Sequence, residues 1–338
     1  MKLARCGRGS IVRPRGILLI RTKVARSAAE MESFRSAWDS LWNPELTLFQ
    51  SYRWNALAAK IFAQREEPYV IFAESDSGAA ILPAAINHEE RQISFLGETL
   101  FDYRDYLAQG KTSVLQAAWA ALAMLELPFQ IMALRRPDAP IWKQFPKSPY
   151  SGAPYLLSSS ITPEEFSASH TRKGSRLRRL FRMGIDFHVH SGQEVKLLDE
   201  IYRCKGAQSG AGALFADPLR RNFMCSIAQA EGSSCEIFTF EKESRVIAAL
   251  VTFRDAGYRR LYTTYYDHEW ARYSPGVELI FETARHSLQE HLDLDFMTGE
   301  QPYKMRMAAT VAPLYRVEAS REQLRQSVLG KPVPGRAA

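Results

Sequence analysis

The loop before the long penultimate helix carries residues that could hold an anion. Residues 272–277 read Arg-Tyr-Ser-Pro-Gly-Val. An arginine supplies positive charge, Gly276 permits close approach to the backbone, and a helix start offers free N–H groups at the positive end of its dipole. We expect a phosphorylated donor to contact Arg272, Ser274, Gly276 and Val277. The alternative is an ordinary helix start, with Ser274 as N-cap and Pro275 at the first helical position.

A second group of ionisable side chains follows a short predicted strand near the C-terminus. Its members are Asp295, Glu300, Tyr303 and Lys304. Carboxylates, phenols and amines are the groups that move protons when an acceptor must be deprotonated. We expect Glu300 to act as base, Tyr303 to protonate a leaving group, Lys304 to steady an anionic group and Asp295 to bind substrate. The alternative is a surface turn whose carboxylate pairs with a nearby lysine or arginine.

Two further segments carry a distinctive pattern of charge. Asp102, Tyr103 and Asp105 follow a predicted strand in the first half, where they could line a substrate groove or only bond nearby amides. Residues 172–182 hold six cations and no acid on a predicted helix. That helix either contacts phosphate, RNA or anionic lipid head groups, or presents a solvated basic face.

Four tyrosines lie in one predicted strand region, at positions 258, 262, 265 and 266. Strict alternation would put Tyr258, Tyr262 and Tyr266 on one face and Tyr265 on the other. Aromatic side chains on a strand favour packing against the sheet. Tyr266 is also a candidate to flank an acyl chain or a sugar.

Composition limits the class of protein. The chain has 338 residues, a formal net charge of +7 and 46% hydrophobic residues, which is typical of a globular protein with anionic partners. The four cysteines and seven histidines lack metal-ligand spacing, so we expect no metal site. No run of 18 uncharged apolar residues is present, so a cytoplasmic protein without a membrane span is predicted.

The same order of elements occurs twice along the chain. Helical periodicity is followed by a meander of short strands, another helix and another strand. This order predicts an α+β fold of mixed α/β type, built from two copies of one unit. The predicted organisation is a disordered basic tail at 1–15, domains at 16–135 and 161–326, a Pro- and Ser-rich connecting segment at 136–160, and a disordered tail at 327–338.

In this order, the motifs resemble the CelD-like, cellulose-biosynthesis-type branch of the GNAT acetyltransferases, a branch related to the FemABX aminoacyltransferases. The resemblance runs from about Leu18 to Ala319. The similar segments are Phe49-Gln-Ser-Tyr-x-Trp54, Asp102-Tyr-Arg-Asp105, Ser175-Arg-Leu-Arg-Arg179, Ser274-Pro-Gly276, Asp295-Phe-x-x-Gly299-Glu300 and Tyr303-Lys304-x-Arg306.

The resemblance implies two tandem GNAT-like domains, each a mostly antiparallel mixed sheet flanked by helices, with the donor held mainly by the second. In GNAT enzymes a Gln/Arg-x-x-Gly-x-Gly/Ala loop holds the diphosphate of acyl-coenzyme A. This chain departs from that form, because Pro275 lacks an amide hydrogen and Glu278 places an acid in the first turn. The resemblance also implies donor contacts at Thr263 and Tyr265, where strand amides would stabilise the oxyanion.

The resemblance therefore implies an acyl-CoA-dependent N- or O-acyltransferase, most simply an acetyltransferase. Its acceptor would be a sugar, a polysaccharide precursor or a small metabolite. One alternative is a FemABX-like transferase whose donor is aminoacyl-tRNA, the only reading that involves nucleic acid. The other is a non-catalytic binding protein of envelope or exopolysaccharide assembly, with peripheral membrane contact. The acyl group, the acceptor and the oligomeric state stay open.

Overall fold

The structure is a computed structural model that describes residues 19–208, 210–308 and 310–329. The side chains of residues 171–173, 211–212 and 328–329 are not among those described. The tail predicted at 1–15 and most of the tail predicted at 327–338 therefore lie outside the described residues. The start of that second tail, up to Leu329, forms the end of a helix.

The first half contains six strands and four helices in the described residues. Its strands are β1 (Arg21–Ala25), β2 (Glu66–Ser75), β3 (Gly78–Asn87), β4 (Gln92–Phe95), β5 (Leu107–Gly110) and β6 (Phe129–Leu134). Its helices are α1 (Ala28–Met31), α2 (Arg35–Leu41), α3 (Tyr52–Ile61) and α4 (Thr112–Ala123). Helix α3 begins where Ser51 Oγ accepts a hydrogen bond from the amide of Trp54, as expected of a serine N-cap.

The second half, described in the same way, contains seven strands and seven helices. Its strands are β7 (Lys147–Leu156), β8 (Asp186–Ser191), β9 (Cys235–Lys242), β10 (Arg245–Asp255), β11 (Tyr258–Tyr266), β12 (Asp293–Asp295) and β13 (Thr310–Ala319). Its helices are α5 (Pro163–Ser169), α6 (Thr171–Arg182), α7 (Val195–Gly206), α8 (Pro218–Glu231), α9 (Pro275–Gln289), α10 (Pro302–Met307) and α11 (Arg321–Leu329).

All thirteen described strands belong to one sheet. Its order is β1-β2-β3-β4-β6-β13-β7-β12-β11-β10-β9-β8, and β5 pairs with β3 beside β4. Among these described strands, only β4–β6 and β11–β12 pair in parallel. Each parallel pair joins the last strand of a meander to the strand that follows a helix. The predicted duplication of element order is therefore present in the sheet.

Helices cover both faces of this sheet. On one face, α1–α3 and α7–α8 share a single hydrophobic core that includes Trp54, Phe223 and Phe253 from both halves. On the other face, α4 and α11 pack over the first half, and α5, α6 and α9 pack over the second. The fold is thus a three-layer mixed α/β structure.

The two halves are joined more closely than the predicted connecting segment implies. Residues 136–160 contain β7, a ten-residue strand in the middle of the sheet. Strand β13, from the end of the chain, pairs with β7 on one side and with β6 of the first half on the other. The Pro and Ser content of the segment does not indicate a strand. The strands that pair with β7 are distant in sequence, so local patterns could not reveal it.

Candidate functional site

Two parallel strands of the second half separate after a short stretch of pairing, and we call the gap between them beyond Arg260 and Asp295 the cleft. Strands β11 and β12 pair only from Tyr258–Asp293 to Arg260–Asp295, after which the chains diverge. The pairing of β10 with β11 shifts register between Val251 and Thr252, which leaves Tyr262 as an extra residue in β11. Such a bulge bends a strand and redirects its side chains, and bulges are common beside active sites.

The bulge changes the face of the sheet to which the tyrosine side chains of β11 point. Tyr262 and Tyr265 both pack in the core that contains Trp54, whereas Tyr266 lies against Gly276 at the start of α9. The strict alternation predicted for the tyrosines is therefore wrong. Tyr262 and Tyr265 share a face, and Tyr266 is on the opposite one because the extra residue reverses the alternation.

The open edge of β11 presents the backbone of Thr264 and Tyr266. Their carbonyl oxygens accept hydrogen bonds from Lys205 Nζ (2.7 Å) and Gln208 Nε2 (2.8 Å), so these carbonyls point away from β10. In a strand, the N–H and C=O of one residue point to the same edge. The amides nearest the cleft are therefore those of Thr264 and Tyr266, and the predicted pair, Thr263 and Tyr265, faces β10.

The start of α9 is closely packed against this strand. A Cβ on Gly276 would lie 3.3 Å from Thr264 Cγ2 and from Tyr266 Cδ1. The amides of Val277 and Glu278 donate to the carbonyl of Ser274, at 3.0 and 3.1 Å. Ser274 occupies the N-cap position with a φ of 54°, and its side chain makes no capping hydrogen bond. Diphosphate binding by Ser274, Gly276 and Val277 stays a prediction.

Arginines from two segments of the chain lie around the start of this helix. The guanidinium of Arg179 on α6 lies 5.1 Å from the ring centroid of Tyr273, and that of Arg272 lies 4.6 Å from it. Arg176, also on α6, lies 3.9 Å from the buried carboxylate of Glu278. The basic helix and the predicted donor loop therefore form one positively charged surface. We call Arg176, Arg179 and Arg272 the arginine cluster.

Lys304 lies at the mouth of the cleft on the short helix α10. Its side chain is buried and its Nζ donates to the carbonyl of Thr298 at 2.8 Å and to that of Met297 at 3.4 Å. Burial lowers the pKa of Lys304 to about 8, although the nearby carboxylates of Asp102 and Asp295 favour its charged form. An amine with this pKa exchanges its proton near neutral pH.

Asp102 comes from the first half of the chain and lies near Lys304. Burial raises the pKa of Asp102 to about 6, and the charge of Asp295 acts in the same direction, while Lys304 and hydrogen bonds from Thr298 oppose the rise. The hydroxyl of Thr298 also donates to the backbone carbonyl of Asp102 at 3.4 Å. Asp102 and Lys304 thus form a carboxyl–amine pair whose pKa values are both displaced toward neutrality.

Three other predicted substrate-binding residues hold the loop around Asp102 in place. Asp105 accepts from Arg136 Nε at 2.6 Å and from Trp142 Nε1 at 2.9 Å. The hydroxyl of Tyr103 donates to Asp295 Oδ1 at 2.7 Å, and the other oxygen of Asp295 pairs with Arg260 at 2.5 Å. Asp105, Tyr103 and Asp295 are committed to these structural bonds, which leaves Asp102 as the member directed to the cleft.

The remaining predicted catalytic residues are Glu300 and Tyr303. Glu300 is exposed, and its carboxylate rests over Gly152 of β7, where a Cβ would come within 2.3 Å of Oε1. Tyr303 packs partly against the core beneath α9, and burial raises its pKa. A general base needs a pKa near the working pH. Because its pKa is raised, Asp102 is a better candidate for the general base than Glu300, the residue that the sequence predicted.

Lys205 is a cleft residue that the sequence did not indicate. Burial lowers its pKa, and it bonds the strand edge rather than a carboxylate. It lies in an ordinary amphipathic helix, where one lysine carries no distinguishing signal.

In the described residues, no group of three or more His, Cys, Asp or Glu side chains could hold a metal ion, and no helix is long and apolar enough to cross a membrane.

Part of the chain matches a known family of protein domains. Residues 169–305 match the family of acetyltransferase (GNAT) domains. The predicted resemblance to the CelD-like branch of the GNAT acetyltransferases is therefore confirmed. None of the curated protein sequences matches the chain.

Solved structures share the architecture of nearly the whole chain. The C-terminal DUF2156 domain of a putative lysylphosphatidylglycerol synthetase from Agrobacterium fabrum covers 91% of this chain and 100% of its own, with 10% identity and a TM-score of 0.57. FemX covers 90% and 99%, with 9% identity and a TM-score of 0.54. A tandem GNAT protein of the clavulanic acid pathway covers 90% and 99%, with 8% identity and a TM-score of 0.53. The chain therefore has the tandem GNAT fold, as predicted.

Proposed function

We propose that this chain, whose residues 169–305 match a GNAT acetyltransferase domain, transfers an acyl group from acyl-CoA to an amine or hydroxyl acceptor. The observation that carries the proposal is the pair of Asp102 and Lys304 at the mouth of the cleft. Their pKa values lie on either side of neutrality, so at pH 7 the aspartate is charged and the lysine is protonated. That is the state required of a base and an acid acting in one step.

The step can be written with every proton assigned. The carboxylate of Asp102 takes the proton of the acceptor as its nitrogen or oxygen forms a bond to the thioester carbonyl carbon. The carbon–sulfur bond then breaks, and the ammonium of Lys304 gives its proton to the departing thiolate. A thiol has an ordinary pKa of about 8.5, so an acid with a pKa of about 8 is well matched to it.

The oxyanion of this step needs hydrogen-bond donors in a fixed position. The amides on the open edge of β11, those of Thr264 and Tyr266, meet the requirement because the sheet holds them in place. Lys205 adds a positive charge at the same edge. Acceptor and thioester would then be aligned between β11 and the loop that carries Asp102.

The arginine cluster favours acyl-CoA as the donor. Guanidinium groups bind phosphate through paired hydrogen bonds, and two of them lie within about 5 Å of the same tyrosine ring beside the start of α9. Arg272 was predicted for this role from its loop. Arg176 and Arg179 join it from a helix almost 100 residues earlier.

A donor-binding experiment tests the proposal directly. Acetyl-CoA should bind the protein, and the double substitution Arg179→Gln with Arg272→Gln should weaken that binding by roughly tenfold or more, since charge-assisted hydrogen bonds are each worth about 1.5–3 kcal/mol. The matched control is Arg178→Gln with Arg182→Gln, which removes the same charge from another side of α6. Titration calorimetry with acetyl-CoA measures all three proteins. Absence of acetyl-CoA binding to the unmodified protein would refute the proposal.

Transfer from aminoacyl-tRNA is the second candidate function. It is favoured by one observation: the exposed arginines of α6 include Arg178 and Arg182, which extend the basic surface beyond the vicinity of α9. Binding to tRNA would have to weaken steeply as salt is raised. If the control variant loses tRNA binding and acetyl-CoA never binds, this candidate replaces the first.

A further inference from the structure

We propose that one side of helix α6, together with the last strand of the sheet, docks the protein on an anionic lipid bilayer. The surface consists of Arg178, Phe181 and Arg182 of α6 and Val189 of β8, and we call it the docking surface. The inference does not depend on the proposed acyl transfer. It assigns a role to the side of α6 that the proposed donor site leaves unused.

Helix α6 carries arginines on two of its sides. Arg176 and Arg179 contact residues at the start of α9 or just before it, beside the predicted donor loop. Arg178 and Arg182 lie on another side, because residues four apart share one face of a helix. Both are exposed, and among the described side chains neither guanidinium pairs with a carboxylate. Their charges are therefore available to a partner.

An exposed aromatic ring lies beside these two arginines. Phe181 follows Arg178 by three residues, which places the two side chains next to each other on the helix surface. One side of the ring packs edge-on against Phe240 of β9, with the ring centroids 6.1 Å apart. The phenylalanine is nevertheless 40% exposed. It presents an apolar surface next to two positive charges.

The end of the sheet extends this apolar surface. Strand β8 is the last strand in the sheet order, and its Phe187 also packs against Phe240, at 6.1 Å between ring centroids. Val189, two residues later, points to the same face because side chains alternate along a strand. It pairs with Phe238 of β9 and is 45% exposed. Phe181 and Val189 thus lie on the same face at the same end of the sheet.

The charge of the docking surface is complementary to lipid phosphates. Residues 171–185 contain six cations and neither Asp nor Glu. The next acid is Asp186, at the start of β8. Alternation along the strand places its side chain on the opposite face from Phe187 and Val189. The docking surface is therefore basic and partly apolar, without an acid from α6 or from this face of β8.

An anionic bilayer suits this combination of side chains. Its surface carries phosphate charges and its acyl chains begin just beneath them, so arginines and apolar side chains can be satisfied side by side. Nucleic acid would pair with the arginines but would gain nothing from Val189. A second copy of the chain, docked through the same surface about a two-fold axis, would oppose arginine to arginine. Charge and apolar exposure together therefore favour the bilayer.

The test measures sedimentation of the full chain with lipid vesicles. The protein should bind vesicles of phosphatidylglycerol and phosphatidylcholine in equal amounts, but not vesicles of phosphatidylcholine alone. Each arginine near an anionic bilayer contributes roughly fivefold to affinity, so Arg178→Gln with Arg182→Gln should weaken vesicle binding roughly 20-fold. The matched control is Arg321→Gln with Arg325→Gln, which removes the same charge from two exposed positions four apart on α11. It should bind the vesicles nearly as well as the parent protein.

A second set of variants tests the apolar part of the docking surface. Phe181→Gln should weaken vesicle binding by roughly fivefold, because part of an aromatic ring no longer enters the bilayer. Met124→Gln is its control, since this methionine is 73% exposed and lies just after α4. Val189→Gln should weaken vesicle binding in the same direction, and it provides an independent result if Phe181→Gln unfolds. Thermal unfolding checks that each variant is folded.

The outcomes separate the bilayer from other partners. The inference is overturned if vesicles with phosphatidylglycerol do not bind, or if the α11 control loses as much affinity as the α6 variant. It is also overturned if Phe181→Gln and Val189→Gln both keep full vesicle affinity. In that case, arginine-dependent binding of tRNA would assign the surface to nucleic acid, and a lower molar mass of these variants by light scattering would assign it to a second copy. Acetyl-CoA binding by the Arg178→Gln, Arg182→Gln variant should be unchanged, so failure of the donor proposal leaves this one standing.

Discussion

At the scale of single residues, Asp102 and Lys304 predict the pH dependence of the reaction. As a base, Asp102 is active when deprotonated, so the rate should rise with pH through about 6. As an acid, Lys304 is active when protonated, so the rate should fall as pH passes about 8. Single-turnover rates of acetyl transfer, measured from about pH 5 to about pH 10, should therefore give a bell-shaped profile.

The variants at these positions should each remove one limb of that profile. Asp102→Asn should eliminate the rising limb and lower the maximal rate by roughly 100-fold or more, and Lys304→Met should eliminate the falling limb. Glu300→Gln is the informative comparison, because Glu300 is the base that the sequence predicted. A lost rising limb in Glu300→Gln, with Asp102→Asn unaffected, would reverse the assignment made from the structure.

Also at this scale, Asp295 predicts a stability effect. It pairs with buried Arg260 and accepts from Tyr103, so Asp295→Ala leaves a buried charge short of a partner. We expect a loss of about 3 kcal/mol in the free energy of unfolding, measured by urea titration. The exposed Glu322→Ala should stay within about 0.5 kcal/mol of the parent protein. Equal stability of the two variants would show that Asp295 is free for a role in binding.

At the scale of elements, the start of α9 is tightly packed against β11. A tryptophan at Gly276 has no room between Thr264 and Tyr266, so Gly276→Trp should lower the free energy of unfolding by about 1–3 kcal/mol. At Gly174 on α6 the nearest atom to an added Cβ is Arg178 Nη1 at 3.5 Å, so Gly174→Trp should be tolerated far better. Thermal unfolding of both variants measures the difference.

Local patterns in the sequence predicted most elements but not their geometry. The capping box of Thr162 and Glu165 marks the start of α5 in the sequence itself, because both of its hydrogen bonds lie within one turn. Helix α10 was not predicted, since six residues are too few to show helical periodicity. That short helix is what buries Lys304. The bulge at Tyr262 depends on the register with β10, which no local pattern contains.

Local patterns likewise predicted the residues of the candidate site but not how they come together. Lys304 and Asp102 were both singled out, one for each half of the chain. Their proximity, and the burial that displaces their pKa values, arise only when the loop around Tyr103 docks on β12. Assigning the base to Glu300 followed from its position in the sequence. We propose Asp102 in its place because its environment, which the sequence does not encode locally, raises its pKa.

At the scale of the whole molecule, the two halves should unfold together. One hydrophobic core contains Trp54 and Phe253 from different halves, and β13 pairs with both β6 and β7. Separate domains at 16–135 and 161–326 would instead predict two transitions. Because a shared core and a shared strand couple the halves, we expect a single cooperative transition.

Tryptophan placement makes this prediction directly measurable. Five of the six tryptophans lie between residues 38 and 142, and only Trp270 lies in the second half. Fluorescence therefore reports mainly the first half, whereas far-UV circular dichroism reports the whole sheet and all its helices. In urea, the two signals should give the same midpoint in a Trp270→Phe variant, from which the second half's fluorescence has been removed. Midpoints that differ would mean that β13 does not couple the halves.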